Sequence, residues 1–341
     1  FFAPDKYYGT KDDLKKFIEI AHQNDIAVIL DIVLNHAFGQ SPMVQMYFDA
    51  NAGEYGQVSD SNPWYNVNSP NSDWSWGYDF NHESIYTKNF IDRVNAYWLN
   101  EFKVDGFRFD FTKGFTNTAG NGWAYDASRV AILKRMADQI WLAKPGSYVI
   151  LEHLTDNSEE KELANHGLLI WGNMSHQYGQ ASMGYSSDSD LSWGTHTARS
   201  FNFHNLVSYM ESHDEERMMF KNLEYGNNTN LAHNVKDLTT ALSRSGLAAA
   251  FYFVTPGPKM IWQFGELGYD FSINHCPDGS NNADCRTSRK PIPWNESLDY
   301  YNVPARKALY DRYAELIRLK TNFPVFKTSN FNYSLDTYLK R

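Results

Sequence analysis

The sequence has no apolar run long enough to cross a bilayer, which excludes a helix spanning a membrane. Positive charge is in deficit: 31 Lys and Arg stand against 40 Asp and Glu, a net charge of -9. That balance argues against nucleic acid or another polyanion as partner. No repeat of the solenoid kind is present. The chain opens Phe1-Phe2-Ala3-Pro4-Asp5 with neither Met nor leader, and reads as a mature piece of something longer. Cysteine is nearly absent. Cys276 and Cys285 flank the turn-rich Pro277-Asp278-Gly279-Ser280-Asn281-Asn282. Their spacing is not that of a zinc knuckle. A local disulfide is expected if the protein is exported, with two free thiols as the alternative.

Apolar residues are plentiful. At 341 residues and 42% hydrophobic, the chain can bury a large core in one or two domains. A long α/β barrel can occupy most of such a length. Aromatics reach 16%, and although most of the rings belong to the core, flat rings in clefts also suit sugar faces.

The order is repeated βα. Thr10 with Asp13 resembles a capping box, and Leu14, Phe17, Ile18 and Ala21 make one helical face. Residues 26–33 form a nearly continuous apolar run, the buried parallel type of strand. Residues 37–80 are too long and irregular for an ordinary connection and predict a functional excursion. Ile91, Val94, Trp98, Leu99 and Phe102 restore a helix, as do Val130, Leu133, Met136 and Ile140 after a Gly- and Asn-rich loop. Strands follow at 148–151, 168–171, 206–210 and 258–262, with helices over 231–251 and 304–320. Such an order calls for a parallel sheet with helices outside.

One stretch organises the rest: Gly106-Phe107-Arg108-Phe109-Asp110. Alternation ending in a carboxylate reads as a buried strand that delivers a charge to its C-terminal tip. Arg108 and Asp110, two apart, share a face. A nearby cation keeps a carboxylate ionised, as a glycosidic nucleophile must be; a structural ion pair closing the strand is the plainer alternative. Other strand ends carry Asp31 with Asn35 and His36, then Glu152, then His213 with Asp214. In a closed α/β barrel all strand C-termini meet at one rim, so Asp110, Glu152 and Asp214 would converge.

The segments Asp31-Ile32-Val33-Leu34-Asn35-His36, Gly106 to Asp110, Ile150-Leu151-Glu152-His153 and Ser212-His213-Asp214-Glu215 resemble the four ordered signature regions of the α-amylase superfamily of glycoside hydrolases. The stretch from Pro256 to Gly268 resembles the last barrel strand and its loop. The resemblance implies a (β/α)8 TIM-type barrel over 1–325, with 37–80 as an inserted loop subdomain and 326–341 as a tail. About six of the eight βα units are recognisable, the chain starting at the helix before the third strand. Either a fragment or a barrel completed by a partner segment accounts for this, and an open barrel would expose strand edges. The family aromatic that precedes the third strand and stacks on the sugar would be missing.

By resemblance, Asp110 is the nucleophile, Glu152 the general acid and then base, with a raised pKa, and Asp214 the residue that stabilises the distorted sugar. Arg108 keeps Asp110 charged and Asp31 orients Arg108. His36 and His213 hydrogen-bond the sugar, and Lys113 contacts it on the leaving side. Retention needs Asp110 and Glu152 roughly 5 Å apart. Calcium is implied at Asn35, Asp79 and residue 114, where Gly114 departs from the usual His but can offer a carbonyl; hydrogen bonds bracing the loop are the alternative. The implied activity is hydrolysis of α-1,4-glucans, with glucan branching as rival, because Ser212 to Glu215 looks more like branching or debranching members. A non-catalytic glucan-binding protein is the alternative of another class. Secretion or a periplasmic location is suggested by the expected disulfide and by the size of polymer substrates.

Overall fold

The computed structural model describes residues 1–73, 75–336 and 340; part of the 326–341 tail thus lies outside the described residues. The chain divides into two compact units, Phe1–Trp171 and Gly172–Arg341.

The first unit alternates helix and strand as its patterning predicts. Helix α1, Lys11–Gln23, starts on the expected capping box: the Thr10 side chain accepts from Asp13 N, and the Asp13 carboxylate accepts from Thr10 N. It buries Ile18 and Ala21, while Phe17 stays 60% exposed. Parallel strands β1 (Ile29–Ile32), β2 (Gly106–Phe109) and β3 (Tyr148–Leu151) lie side by side, with Asp31 opposite Arg108 and Arg108 opposite Ile150. Strand β4 (Leu169–Asn173) adds to β3 and carries the chain on into the second unit.

Strand β2 is buried at every position. Gly106 opens it because the neighbouring strand passes too close for any side chain: a Cβ there would lie 2.1 Å from the Tyr148 carbonyl oxygen. Phe107, Phe109 and Leu151 are wholly buried. Helices α2 (Ile85–Tyr97) and α3 (Ala127–Ala143) pack on each other, burying Ile91 and Val94 of the first and Val130, Leu133 and Met136 of the second. Asp126 caps α3 by accepting from Ser128 N and Arg129 N.

Strand β1 is a correction. The apolar run 26–33 predicts a strand of the buried parallel type over its whole length, but the strand is shorter, with Ile26 58% and Val33 41% exposed. Among the described residues of this unit, β1 pairs only with β2. One free edge leaves part of an apolar run uncovered, so composition alone overstated its burial.

The excursion over 37–80 has its own order. Its ends are tied by a short antiparallel ladder, His36–Ala37 against Tyr78–Asp79. Ala37, Val44, Val58, Tyr65 and Phe80 form a small core beneath it.

The second unit holds parallel strands β5 (Leu206–Tyr209) and β6 (Lys259–Met260), paired Ser208 to Lys259. Helices α4 (Ser175–Met183), α5 (Met218–Tyr225), α6 (Leu238–Val254) and α7 (Pro304–Asn322) surround a core that includes Met174, Tyr178, Met210, Ala249 and Tyr252. Helix α6 starts at Leu238, not at residue 231, because Asn234 and Asp237 first close a turn. Strand β6 is two residues long where five were expected; Pro256 and Pro258 deny its leading end the N–H groups a ladder needs. Cys276 and Cys285 are joined in a disulfide, the first of the two alternatives.

Candidate active site

Three carboxylates meet one guanidinium at the C-terminal ends of β1, β2 and β3. Arg108 Nη1 donates to Asp31 Oδ1 at 2.8 Å and to Asp110 Oδ1 at 2.9 Å. Its Nη2 lies 2.7 Å from Glu152 Oε2, an ion pair without aligned hydrogen-bond geometry. Arg108 is almost entirely buried; Glu152 and Asp110 are 10% and 22% exposed, and Asp31 reaches solvent at 62%. Burial works against the Arg108 charge, but Glu152, Asp31 and Asp110 outweigh it and hold its pKa above the ordinary value. Asp110 and Glu152 touch the same cation and are therefore neighbours.

The turn after Asp110 shapes the site. Phe111 takes a left-handed conformation at φ +46°, uncommon for a residue with a side chain. Its N–H thereby reaches Glu152 Oε2 at 3.2 Å, and Thr112 N donates to Glu152 O at 2.9 Å. The two tips are thus stitched together as well as charge-paired. Leu154, just past Glu152 and His153, is also left-handed at φ +49°. Backbone strain of this kind gathers where a fold fixes side chains for use.

A buried network stands behind Glu152. Thr112 Oγ1 contacts His153 Nδ1 at 2.9 Å, and His153 Nε2 contacts Glu159 Oε1 at 2.8 Å. Arg129 donates to both Glu159 oxygens and, from Nη1, to Lys113 O at 2.7 Å. Trp171 lies under the Arg108 guanidinium at 4.2 Å. The sequence reading missed these partners. Arg129 carried a faint signal, a charge at the start of an otherwise apolar helical run; Trp171 carried none.

The remaining candidates of the first unit fall around these tips. His36 is held below its ordinary pKa by burial, with Asp110 near enough to oppose the shift. Lys113 is buried, stands 3.7 Å over the Trp123 ring, and is lowered to about 8 by burial, with Glu152 acting against it. Trp76, from the excursion, sits edge-on to Phe111 at 5.0 Å and 6.1 Å from the His36 ring, and is 45% exposed. It offers an open aromatic face that the sequence reading did not single out.

Asn35, Asp79 and Gly114 adjoin the tips of β1 and β2. Asn35 Oδ1 is buried without a hydrogen-bond partner. A Cβ at residue 114 would lie 2.0 Å from that oxygen, so the glycine keeps the space beside it clear. Asp79 faces His36 across the ladder and accepts from Asn66 Nδ2 at 2.7 Å; burial raises it to about 6.

His213 and Asp214 belong to the second unit, just beyond β5. Asp214 N donates to Ser212 Oγ at 3.1 Å. Ser212 Oγ in turn donates to Glu215, which also takes Asn173 Nδ2. His213 Nε2 lies 3.3 Å from Asp214 Oδ2, and Arg286 Nη2 is 2.6 Å from Asp214 Oδ1. Arg286 is a partner the sequence reading did not find.

The family model described as alpha amylase, catalytic domain, matches residues 1–300. A 1,4-alpha-glucan branching enzyme GlgB of Oleidesulfovibrio alaskensis is 23% identical over 319 residues, 82% of this chain and 44% of its own length. A maltogenic alpha-amylase of Bacillus acidopullulyticus is 33% identical over 119 residues, 31% of this chain and 19% of its own. The chain thus spans less than half the length of these curated relatives. Among solved structures, an Anoxybacillus alpha-amylase shares the fold with a TM-score of 0.65 at 18% identity, over 98% of this chain and 64% of that one.

Proposed function

This chain belongs to the alpha-amylase family, and from that premise we propose that it is a retaining glycoside hydrolase cleaving α-1,4-glucosidic bonds of starch-like glucans. The supporting observation is the Arg108 guanidinium shared by Asp31, Asp110 and Glu152. Asp110, paired with a cation, attacks the anomeric carbon while Glu152, in its protonated form and not as the carboxylate that pairs with Arg108, gives its proton to the departing glycosidic oxygen. Glu152 then takes a proton from water, which displaces Asp110 and releases the sugar with retained configuration. Asp214 accepts sugar hydroxyls and steadies the positive charge of the transition state. His36 and His213 hydrogen-bond the sugar, Lys113 meets it on the leaving side, and Trp76 offers a ring to stack on it.

Glucan branching is the second reading, favoured by the Ser212-His213-Asp214-Glu215 segment and by relatives named as branching enzymes. The two differ in whether water or a sugar hydroxyl reaches the intermediate. Incubation with amylose decides: hydrolysis raises reducing ends in step with chain shortening. A gain of α-1,6 linkages without new reducing ends would replace the hydrolase reading with branching. The Cys276–Cys285 bridge supports an exported protein.

Calcium is the cofactor we propose. The donors are hard oxygens, which suits this ion. Asn35 Oδ1 lacks a partner and Gly114 leaves room beside it, so these two fit, with Asp79 adding a carboxylate. The ion would tie the excursion to the strand tips. Chelation should lower the thermal midpoint by about 5 °C or more, and added calcium should restore it. An unchanged midpoint would leave Asn35 and Asp79 as loop braces.

A further inference from the structure

The disulfide loop carries an arginine onto Asp214. Arg286 follows Cys285 directly, and its Nη2 donates to both Asp214 Oδ1, at 2.6 Å, and Asp214 O, at 2.9 Å. An exposed Arg–carboxylate pair ordinarily contributes little, because two long side chains must give up their freedom to meet. Here the loop has already been fixed by other contacts. Cys276 is bonded to Cys285, and Cys276 N donates to Ser280 O at 2.7 Å. Lys290 Nζ donates to His275 O at 3.0 Å and to Cys285 O at 2.6 Å. Glu216, two residues after Asp214, accepts from Ser272 Oγ at 2.6 Å and from Ile273 N at 2.8 Å. The base of the arginine is therefore held, and only its own side chain remains to be ordered.

Asp214 is met on each oxygen, by the Arg286 guanidinium at Oδ1 and by the His213 ring nitrogen, 3.3 Å away, at Oδ2. Such a clamp sets the plane of the carboxylate. A carboxylate has about four lone-pair positions, so sugar hydroxyls can still be accepted. The arrangement repeats at Asp214 what Arg108 does for Asp110, with the guanidinium supplied by a loop instead of a strand.

We propose that Arg286 is a positioning residue that orients Asp214 for glycosyl transfer, and that the Cys276–Cys285 bridge serves to deliver it. The inference rests on the reading of Asp214 as the group that steadies the transition state. A positioning role acts on the transition state more than on bound glucan, so kcat carries the effect and KM changes little.

The test compares the parent with Arg286→Ala and Arg286→Lys on soluble glucan, each checked by its thermal midpoint. Arg286→Ala should lose about tenfold in kcat, the weight of one charge-assisted hydrogen bond, with KM nearly unchanged. Arg286→Lys should keep more of the rate. Dilute guanidinium ion should restore part of the activity of Arg286→Ala and none to the parent; this readout holds even if the variant is less stable. A dithiol reductant, passing two electrons and two protons to the bridge to give two thiols, should cost the parent a similar factor. The same treatment should cost Arg286→Ala nothing further. An unchanged kcat in Arg286→Ala, or an equal loss on reduction in both proteins, overturns the proposal while the hydrolase reading stands. A parent that turns over no glucan at all removes both.

Discussion

Asp110→Asn should lower kcat on glucan by about 10⁴-fold or more, equivalent to ~5.5 kcal/mol of transition-state stabilisation, while glucan is still bound. The side chain keeps its size, and an amide can still accept from Arg108 Nη1, so the local packing survives. Arg108 also retains Asp31 and Glu152 as partners. What disappears is a negatively charged oxygen able to form a bond to the anomeric carbon. Because the loss is chemical, KM should move far less than kcat. Steady-state rates with the parent and the variant check this, alongside retention on immobilised glucan. The result also separates classes of function: a non-catalytic glucan-binding protein would bind equally well in both forms and turn over in neither. Asp110→Ala adds a second arm. It leaves a gap beside the anomeric carbon, and azide should enter it and accelerate an activated glycosyl donor, giving an azide product of inverted configuration. Failure of that rescue in a folded variant would take the nucleophile's role from Asp110.

Strand tips were legible because strands of a buried parallel sheet are rich in apolar residues, so a carboxylate directly after such a run marks its end. Tyr148–Leu151 and Gly106–Phe109 lie where the pattern places them, and Asp110 and Glu152 follow at once. Thr10 and Asp13 announced a helix start because capping is local. Strand lengths were less legible. Residues 26–33 read as one strand of the buried parallel type, although an incomplete barrel already implied exposed strand edges, and the strand spans only Ile29–Ile32. The stretch 258–262 shrank to Lys259–Met260, and the helix expected from 231 waited for the cap at Asp237. Contacts between distant residues were illegible altogether. Nothing near Trp171 announces a guanidinium 4.2 Å above its ring. Nothing near Arg286 announces Asp214.

Arg108→Met should remove nearly all activity and destabilise the protein as well, which distinguishes it from Asp110→Asn. The guanidinium is 7% exposed and is the shared cation of three acids. Without it, Asp110 and Glu152 face each other across a methionine thioether with no positive charge between them. Removing one side of a buried ion pair leaves uncompensated charge and costs about 3–5 kcal/mol. Asp31, open to water, can turn away and spare part of that cost. The rate falls for a second reason: two unscreened carboxylates hold a proton between them more readily, and an attacking Asp110 must be without one. A loss of about 10³-fold in kcat/KM is expected, together with a lower thermal midpoint. Arg108→Lys retains the charge but has one nitrogen where the native residue spreads two across Asp31, Asp110 and Glu152. It should recover much of the stability and little of the activity, because a single ammonium cannot hold two catalytic oxygens in register. Rates and melting curves measured on both variants check this division. Full activity in Arg108→Lys would show that charge alone suffices, and the fork would then have no part in placing Asp110 against Glu152.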